Sequence, residues 1–294
     1  MALIAHLSDV HFGAHDKRVV AASEAWLREN APDLVIISGD LTQRARIRQF
    51  KDASAYLDRL RAAGLKVLTV PGNHDVPLYD VARRLFSPLR RYRRYIDTDL
   101  NPWFENDEVA VLGINTARSI ALTGGRINRT QMRIIEDRFR DVAPQKTRIL
   151  VTHHPLFAMP IGKGERLSEA VGRHESAVAA FARAGVHLAL AGHFHRTFAE
   201  AASRMVETAG HALVVQAGTA TSVRLRAGER QSFNWLDVRR HNDLELQVIS
   251  WDGTGFQPGS RVHYTYADEG WRACPLRAET ERGQAARPAP ISAT

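Results

Sequence analysis

Five short clusters of metal-binding residue types recur along the 294-residue chain, each after a run of apolar residues. In chain order they contain Asp9 and His11, Asp40, Asn73 to Asp75, His153 and His154, and His193 and His195. Nitrogen and oxygen donors of this kind suit Mn²⁺, Fe, Zn²⁺ or Co²⁺ rather than copper(I). A single cluster is usually structural, whereas five at equivalent positions predict one shared site.

The apolar runs that precede the clusters are short and rich in β-branched residues, which predicts strands. They span 2–7, 34–37, 67–70, 109–114, 149–152, 186–191 and 213–216. Helical patterns at 19–29, 47–62 and 175–183, and a helix capped by Asn128, lie between them. This alternation predicts an α/β fold whose ligand site lies at the carboxyl ends of the strands.

Paired ligands within a cluster are two residues apart, and side chains at that spacing share a face of an extended strand. We therefore expect Asp9 and His11 to point to one centre, and His193 and His195 likewise. The seven candidate ligands are Asp9, His11, Asp40, Asn73, His153, His193 and His195. Seven groups are too many for one ion and suit two ions that share a carboxylate.

The pattern changes after about residue 220, where period-two alternation predicts antiparallel strands at 222–225, 231–238, 244–250 and 262–266. We expect one domain over residues 1–275, with a strand-rich closing segment at about 220–275 that closes a second sheet. Residues 279–294 are rich in Ala, Pro, Arg and Glu and are predicted to be a disordered tail. An exposed strand edge in the closing segment would allow pairing with a second copy of the chain, so a homo-oligomer is left as an alternative.

The net charge of +8 is concentrated in one arginine-rich segment, Arg83–Arg94, which contains six arginines and no acid. Such a segment attracts phosphate or an anionic membrane surface, or is simply a solvated helical face. We expect an anionic phosphoester substrate and no nucleic acid polymer as a partner. One cysteine, Cys274, and the lack of a long apolar stretch or signal-like start predict a cytoplasmic protein.

The ordered motifs Asp-x-His, Gly-Asp, Gly-Asn-His-Asp, His-His-Pro and Gly-His-x-His resemble the calcineurin-like metallophosphoesterases over residues 1 to about 220. His153-His154-Pro155 is similar to the bacterial branch that hydrolyses cyclic-nucleotide and glycerol phosphodiesters. The resemblance implies a four-layer α/β/β/α sandwich and two divalent metal ions per chain, with Mn²⁺ or Fe preferred and Zn²⁺ or Co²⁺ allowed.

The resemblance also implies roles for single residues. One metal would be bound by Asp9, His11, Asp40 and His195, and the other by Asp40, Asn73, His153 and His193. His74 would face the substrate and protonate the leaving group, with Asp75 orienting its ring. A hydroxide held between the two metals would attack phosphorus. Arg118, His154 and Tyr79 are candidates for substrate contacts, although packing explains each as well.

The leading hypothesis is therefore a binuclear metal-dependent phosphodiesterase whose first candidate substrate is a 3′,5′-cyclic nucleotide. A nucleotide-lipid pyrophosphatase at the membrane surface is the alternative that the arginines favour. Against it, lipid-A-pathway members of the family carry His-Gly-Asp where this chain has His153-His154-Pro155. A non-catalytic scaffold of the same family is disfavoured because all the motif residues are present.

Overall fold

The computed structural model describes residues 1–118, 125–156, 174–202, 211–240, 242–267 and 270–274. Within them, two β-sheets pack face to face and each carries helices on its outer face. This arrangement confirms the predicted four-layer α/β/β/α sandwich. The predicted tail at 279–294 lies outside the described residues.

The first sheet has seven strands in the order β13-β12-β11-β10-β1-β2-β3. Its strands are β1 (Ala2–Leu7), β2 (Leu34–Ile37), β3 (Val67–Thr69), β10 (Ser232–Arg240), β11 (Asp243–Trp251), β12 (Phe256–Ala267) and β13 (Gly270–Cys274). β1 pairs in parallel with β2, and antiparallel with β10. The strand-rich segment thus extends the sheet that contains β1 and does not close the second one, because β10 pairs along the free edge of β1.

The second sheet has six strands in the order β4-β5-β6-β7-β9-β8. They are β4 (Trp103–Glu105), β5 (Val109–Gly113), β6 (Thr147–Val151), β7 (Leu188–Ala191), β8 (Phe198–Ala201) and β9 (Leu213–Gln216). The four central strands, β5, β6, β7 and β9, run parallel. Parallel strands place their carboxyl ends at one edge, where ligand sites form.

The helices cover the sheets as their apolar periodicity requires. They are α1 (Lys17–Asn30), α2 (Ile47–Ala62), α3 (Val81–Phe86), α4 (Arg90–Tyr95), α5 (Arg129–Arg140) and α6 (His174–Arg183), with a short 3-10 turn at Asn73–Asp75. α1, α2 and α4 pack on the first sheet, and α5 and α6 pack on the second. Asn128 caps α5 by accepting a hydrogen bond from the Gln131 backbone N–H at 2.8 Å, as predicted.

A third apolar layer between the sheets fixes their separation. Ile4 and Ile36 from the first sheet and Val111 and Ile149 from the second are fully buried there. Burial on both faces explains why the strand sequences are almost continuously apolar. The arginine-rich segment forms the short helices α3 and α4, and none of the helices in the described ranges is long and apolar enough to cross a membrane.

Candidate metal centre

The five clusters meet at one edge of the sandwich, because each follows the carboxyl end of a parallel strand: β1, β2, β3, β6 or β7. Backbone hydrogen bonds join neighbouring loops. Asp9 N–H donates to the Gly39 carbonyl at 3.2 Å, and Gly192 N–H donates to the His153 carbonyl at 3.0 Å. The parallel topology therefore brings together ligands that are up to 186 positions apart in the sequence.

The backbone at the ligands differs from the extended conformation that we expected. Asp9, His11, Asp40, His193 and His195 all adopt positive φ, between 49° and 80°. Left-handed backbone is uncommon for non-glycine residues and costs about 1–3 kcal/mol each, so it persists only where surrounding contacts impose it. The paired ligands do converge, but through two left-handed residues and not through the alternation of a strand.

The first set of donors consists of Asp9, His11 and His195. The Nε2 atoms of His11 and His195 are 3.2 Å apart. Asp9 Oδ1 lies 3.5 Å from the first of these nitrogens and 3.1 Å from the second. Asp9 Oδ1 is also buried and accepts no hydrogen bond from the residues that the structure describes.

The second set consists of Asn73, His153 and His193. Asn73 Oδ1 lies 3.1 Å from His153 Nε2 and 3.1 Å from His193 Nδ1. The two imidazole nitrogens are 3.3 Å apart. Donor atoms that share a tetrahedral ion at about 2.0–2.1 Å lie about 3.3 Å from one another. Both sets therefore have the spacing of groups that converge on a cation.

Asp40 lies between the two sets and is almost fully buried. Its Oδ2 atom is 3.7 Å from His11 Nε2 and 3.4 Å from His153 Nε2. Its Oδ1 atom accepts the His74 backbone N–H at 2.8 Å. One carboxylate thus faces both sets, which is the arrangement that a shared ligand of two ions requires.

Carbonyl groups fix the orientation of two ligand imidazoles. His153 Nδ1 lies 2.8 Å from the Ser38 carbonyl, and His195 Nδ1 lies 3.2 Å from the Arg224 carbonyl. Since a carbonyl can only accept, each Nδ1 carries the hydrogen and each Nε2 of the neutral ring presents a lone pair. Those Nε2 atoms are the ones that face Asp9 and Asp40.

Burial and charge act against each other in this cluster. Burial alone would lower the pKa of His153, but the neighbouring Asp40 carboxylate outweighs it and raises the pKa to about 9. Burial lowers the pKa of His193 to about 4, and the charge of His153 adds to this effect. Burial disfavours the charged form of Asp40, yet His153 and His11 hold its pKa well below the usual range. A buried carboxylate therefore needs a cation, and a metal ion would take the place of the proton.

Gly39 is required where the second loop passes under His153. Its φ is +97°, and a Cβ atom there would lie 2.6 Å from His153 Cγ. Both the left-handed backbone and the missing space exclude any side chain. Gly39 therefore allows a tight bend of the second loop below the donor sets.

His74 lines the same cavity as the ligands, and a residue that we did not single out orients it. Its Nδ1 donates to the Gln43 carbonyl at 2.7 Å, which leaves Nε2 available. The expected contact from Asp75 to the His74 ring is not among the hydrogen bonds of the described residues. Gln43 follows the Gly-Asp motif by three positions, so its place in that loop was the available signal.

Asp75 connects two ligand loops. Its carboxylate accepts N–H groups from Gly72 at 2.9 Å, Leu41 at 3.2 Å and Thr42 at 2.8 Å. The Thr42 hydroxyl donates to it as well, at 3.0 Å. Burial and the nearby Asp40 charge raise the pKa of Asp75 to about 6. Asp75 thus acts on His74 through the backbone that carries it.

His154 is fully enclosed behind the second donor set. Its Nδ1 lies 2.9 Å from the Thr116 hydroxyl, and its ring centroid is 4.7 Å from that of His193. Its Nε2 is buried and has no hydrogen-bond partner in the described part of the chain. Each of three histidines, His153, His154 and His193, places a ring nitrogen within 4.8 Å of the other two. The geometry therefore allows His154 to be a further ligand.

The other two predicted substrate contacts lie apart from the donor sets. The Arg118 guanidinium donates to the Arg126 carbonyl at 2.7 Å and to the Gln131 side chain. Tyr79 is 71% exposed, with the Arg44 guanidinium 5.6 Å from its ring centroid. Neither residue lines the cavity above the ligands in the described ranges, and their role in substrate binding remains a prediction.

That cavity has a volume of about 610 Å³. Besides ligands, it is lined by two phenylalanines and three arginines, namely Phe194, Phe198, Arg196, Arg224 and Arg226. The sequence does not single out these five residues, because Phe194 occupies the variable position of Gly-His-x-His and the other four lie outside the motifs.

Residues 2–197 match the calcineurin-like phosphoesterase family. The chain belongs to this family. Over 85 residues it is 33% identical to the glycerophosphodiester phosphodiesterase GpdQ of Enterobacter lignolyticus (strain SCF1). This match covers 25% of the chain and 29% of that relative, so it spans less than a third of either protein.

Two solved structures show the same fold. A purple acid phosphatase, PPD1, from yellow lupin seeds has a TM-score of 0.62 and 15% identity, and the match covers 95% of this chain and 57% of that one. A dimetal phosphatase from Danio rerio has a TM-score of 0.59 and 14% identity, with coverages of 90% and 99%. At this identity the likeness concerns the fold alone. Within this family fold, the two donor sets have the residue types and the spacing that could hold metal ions.

Proposed function

We propose that the protein is a phosphodiesterase that uses two metal ions to hydrolyse a small phosphodiester, with a 3′,5′-cyclic nucleotide as the first candidate substrate. The observation that supports this most directly is the pair of donor sets facing Asp40, with His74 in the same cavity. The short match to a glycerophosphodiester phosphodiesterase favours a diester over a monoester.

The donor sets suit Mn²⁺ or Fe, and Zn²⁺ or Co²⁺ also fit nitrogen and oxygen ligands. Two such ions, held by Asp9, His11, Asp40 and His195 and by Asp40, Asn73, His153 and His193, would supply Lewis-acid activation of water and of the phosphoryl group. The buried carboxylates of Asp9 and Asp40 would balance the positive charge of these ions. His74 donates through Nδ1 to the Gln43 carbonyl, and its protonated, imidazolium form would pass the second proton, from Nε2, to the departing alkoxide.

Two substitutions separate metal binding from proton transfer. Asp40→Ala removes the carboxylate common to both sets, so we expect loss of both metals by elemental analysis and loss of diesterase activity. His74→Gln leaves the ligands in place, so we expect full metal content with turnover reduced by about 10²–10⁴-fold. Normal diester hydrolysis by the Asp40 variant would refute the proposal.

A substrate panel tests the chemistry directly. The metal-reconstituted protein is assayed on cyclic AMP, an aryl phosphodiester, an aryl phosphomonoester and a nucleotide-linked lipid pyrophosphate. We expect the diesters to be turned over fastest. Faster cleavage of the monoester or of the pyrophosphate would contradict the diesterase assignment, but it would not contradict the proposed metal centre.

A second candidate, a nucleotide-lipid pyrophosphatase at the membrane surface, is favoured by the segment that follows the third cluster. Phe86 is 87% exposed and Val81 is 62% exposed, and three arginines beside them, Arg90, Arg93 and Arg94, are also exposed. Exposed apolar groups next to cationic ones suit the interface of an anionic bilayer. Val81, Leu85 and Leu89 recur at helical spacing, but the segment divides into α3 and α4, and of these three residues only Leu89 is buried.

Vesicle binding distinguishes this candidate. Sedimentation with vesicles that contain phosphatidylglycerol should be lost on Phe86→Ser together with Arg90→Gln and Arg93→Gln. Exposed Arg133→Gln on α5 is the control, since it lies on the other outer layer. The membrane candidate would be excluded if the triple variant still sedimented with the vesicles, or if the unchanged protein did not bind them. A cytoplasmic location remains part of the proposal for the soluble-substrate enzyme.

A further inference from the structure

The cavity above the donor sets continues past His195 to a rim formed by Arg196, Arg224 and Arg226. In the described residues, the guanidinium groups of these arginines make no hydrogen bond or ion pair with the protein. Some other arginines of the described chain, such as Arg91 and Arg118, instead donate to a backbone carbonyl. Three guanidinium groups that face one cavity without partners are available for a ligand.

The loop that carries Arg224 and Arg226 is attached to the metal centre. The Thr219 hydroxyl donates to the Asp9 carbonyl at 2.7 Å, and the Thr221 hydroxyl donates to the Val10 carbonyl at 2.7 Å. The Arg224 carbonyl accepts from the imidazole of His195 at 3.2 Å. The first part of the loop is therefore fixed relative to the first donor set, so a ligand would find the rim already positioned.

The far end of the loop is also ordered by local contacts. Glu229 N–H donates to the Arg226 carbonyl at 3.0 Å, and Gly228 supplies the positive φ, +83°, that this turn needs. Gln231 then donates from its side chain to the Ser222 carbonyl at 3.1 Å, which closes the loop at its base. The backbone that carries the arginines is thus already ordered, so ligand binding costs mainly the conformational entropy of the arginine side chains.

The charge of the rim sets the chemistry of its ligand. The three guanidinium groups outnumber the one carboxylate in the cavity wall on this side, that of Glu229. Guanidinium pairs most strongly with planar or tetrahedral oxyanions, and phosphate offers it several oxygens at once. A 3′,5′-cyclic nucleotide has only one anionic group, which ions held by the donor sets would engage, and would leave the rim without a partner.

We propose that Arg196, Arg224 and Arg226 form a second anion subsite, which selects phosphodiesters that carry an additional phosphate on one of their two arms. This inference rests on the proposed function and narrows its substrate class from a simple diester to a diester with a second phosphate. The half-buried rings of Phe194 and Phe198 line the cavity together with the rim and the donor sets, and they suit the non-ionic part of that arm.

A pair of chromogenic esters tests the subsite. Thymidine 5′-(4-nitrophenyl phosphate) is compared with the same ester bearing a 3′-phosphate, using the metal-reconstituted protein. We expect kcat/KM to be at least about tenfold higher for the 3′-phosphate, and the ratio to fall as NaCl is raised from about 0.1 M to about 0.5 M. Equal kcat/KM for the two esters would overturn the subsite.

Paired variants assign the effect to the rim. Arg224→Gln combined with Arg226→Gln should bring the ratio of the two kcat/KM values close to one, without changing metal content. Arg230→Gln is the matched control, because Arg230 is exposed on the same loop but does not line the cavity, and it should keep the preference. A preference that survives the double variant would show that the rim does not recognise the second phosphate.

Calorimetry on the metal-reconstituted protein separates the subsite from catalysis, because neither nucleotide ligand contains a diester. Thymidine 3′,5′-bisphosphate should bind at least about fivefold more tightly than thymidine 5′-phosphate, and the double variant should lose the difference. If neither ester is hydrolysed, the proposed function fails and this binding difference alone decides the subsite. If the esters are hydrolysed without preference and the bisphosphate gains nothing, the subsite fails and the proposed function stands.

Discussion

Gly72 offers the sharpest test of the metal centre, because one added methyl group would displace the central carboxylate. A Cβ atom at Gly72 would lie 2.7 Å from Asp40 Cγ and closer still to Asp40 Oδ1. Ordinary contacts begin at 3.4 Å, so the Asp40 carboxylate must move by about 0.7 Å or more, and the Asp40 backbone nitrogen, 2.4 Å from that Cβ atom, must move as well. The φ of Gly72 is −102°, which any residue adopts, so the perturbation is purely one of space.

The magnitude follows from the position of Asp40 between the donor sets. A displacement of about 1 Å at a reacting centre reduces rates by about 10²-fold, and overpacking of this kind costs about 1–3 kcal/mol of stability. We therefore expect Gly72→Ala to reduce kcat on an aryl phosphodiester by about 10²-fold or more. Its metal content should fall in parallel, because both sets face the displaced group.

The assay combines elemental analysis, diesterase kinetics and thermal unfolding. Gly255→Ala is the matched control, since its added Cβ meets only the flexible Gln257 side chain, at 3.5 Å, and its φ is unexceptional. The control should keep its metals and its kcat. A Gly72→Ala protein with two metals and a kcat within about threefold of the parent would show that Asp40 is not the shared ligand.

Two further predictions concern the surroundings of the site. Thr42→Val removes the hydroxyl that donates to Asp75 and accepts the Ala45 N–H at 3.0 Å. The free energy of unfolding in urea should therefore fall by about 2–4 kcal/mol, and an unchanged value would show that this hydroxyl does not stabilise the loops. Burial lowers the pKa of His6 to about 3, so the folded protein keeps this ring neutral where the unfolded chain, with a pKa of 6.5, takes up a proton. The stability that the neutral ring contributes is therefore complete above pH 6.5 and is lost as the pH falls below that value. Metal-free protein should therefore lose about 2 kcal/mol more than His6→Gln between about pH 7 and about pH 5, and equal losses would contradict this.

Much of the fold could be predicted because its signals are local. Helix α2 begins and ends at the predicted residues, and Asn128 caps α5 as its sequence position indicates. The runs before the clusters form strands because alternation of strand and helix leaves them buried on both faces. The predicted strand at 222–225 is wrong: these residues form the arginine-bearing loop, because Ser222 and Val223 donate to the Ala14 carbonyl and the Arg224 carbonyl accepts from His195.

The site was predictable as a set of residue types but not as a conformation. The ligand types and their order identify which side chains could bind metals, and the structure brings all seven together. The left-handed backbone of five of them, the Gln43 carbonyl behind His74 and the arginine rim depend on contacts between distant loops. No pattern along one segment reveals such contacts, since each partner lies in a different cluster.

The distribution of glycines and ligands around the centre shows how the chain resolves two incompatible demands. A left-handed residue is least strained as glycine, but glycine has no side chain with which to bind a metal. Where the backbone must bend and a side chain would collide with His153, the chain has Gly39. Where it must bend and also supply a donor, it has Asp9, His11, Asp40, His193 and His195, at a cost of about 1–3 kcal/mol each. Such strain persists only because the buried layers on either side stabilise the loops. Cations bound to the donors would offset part of it, so metal binding and folding of these loops are expected to be coupled.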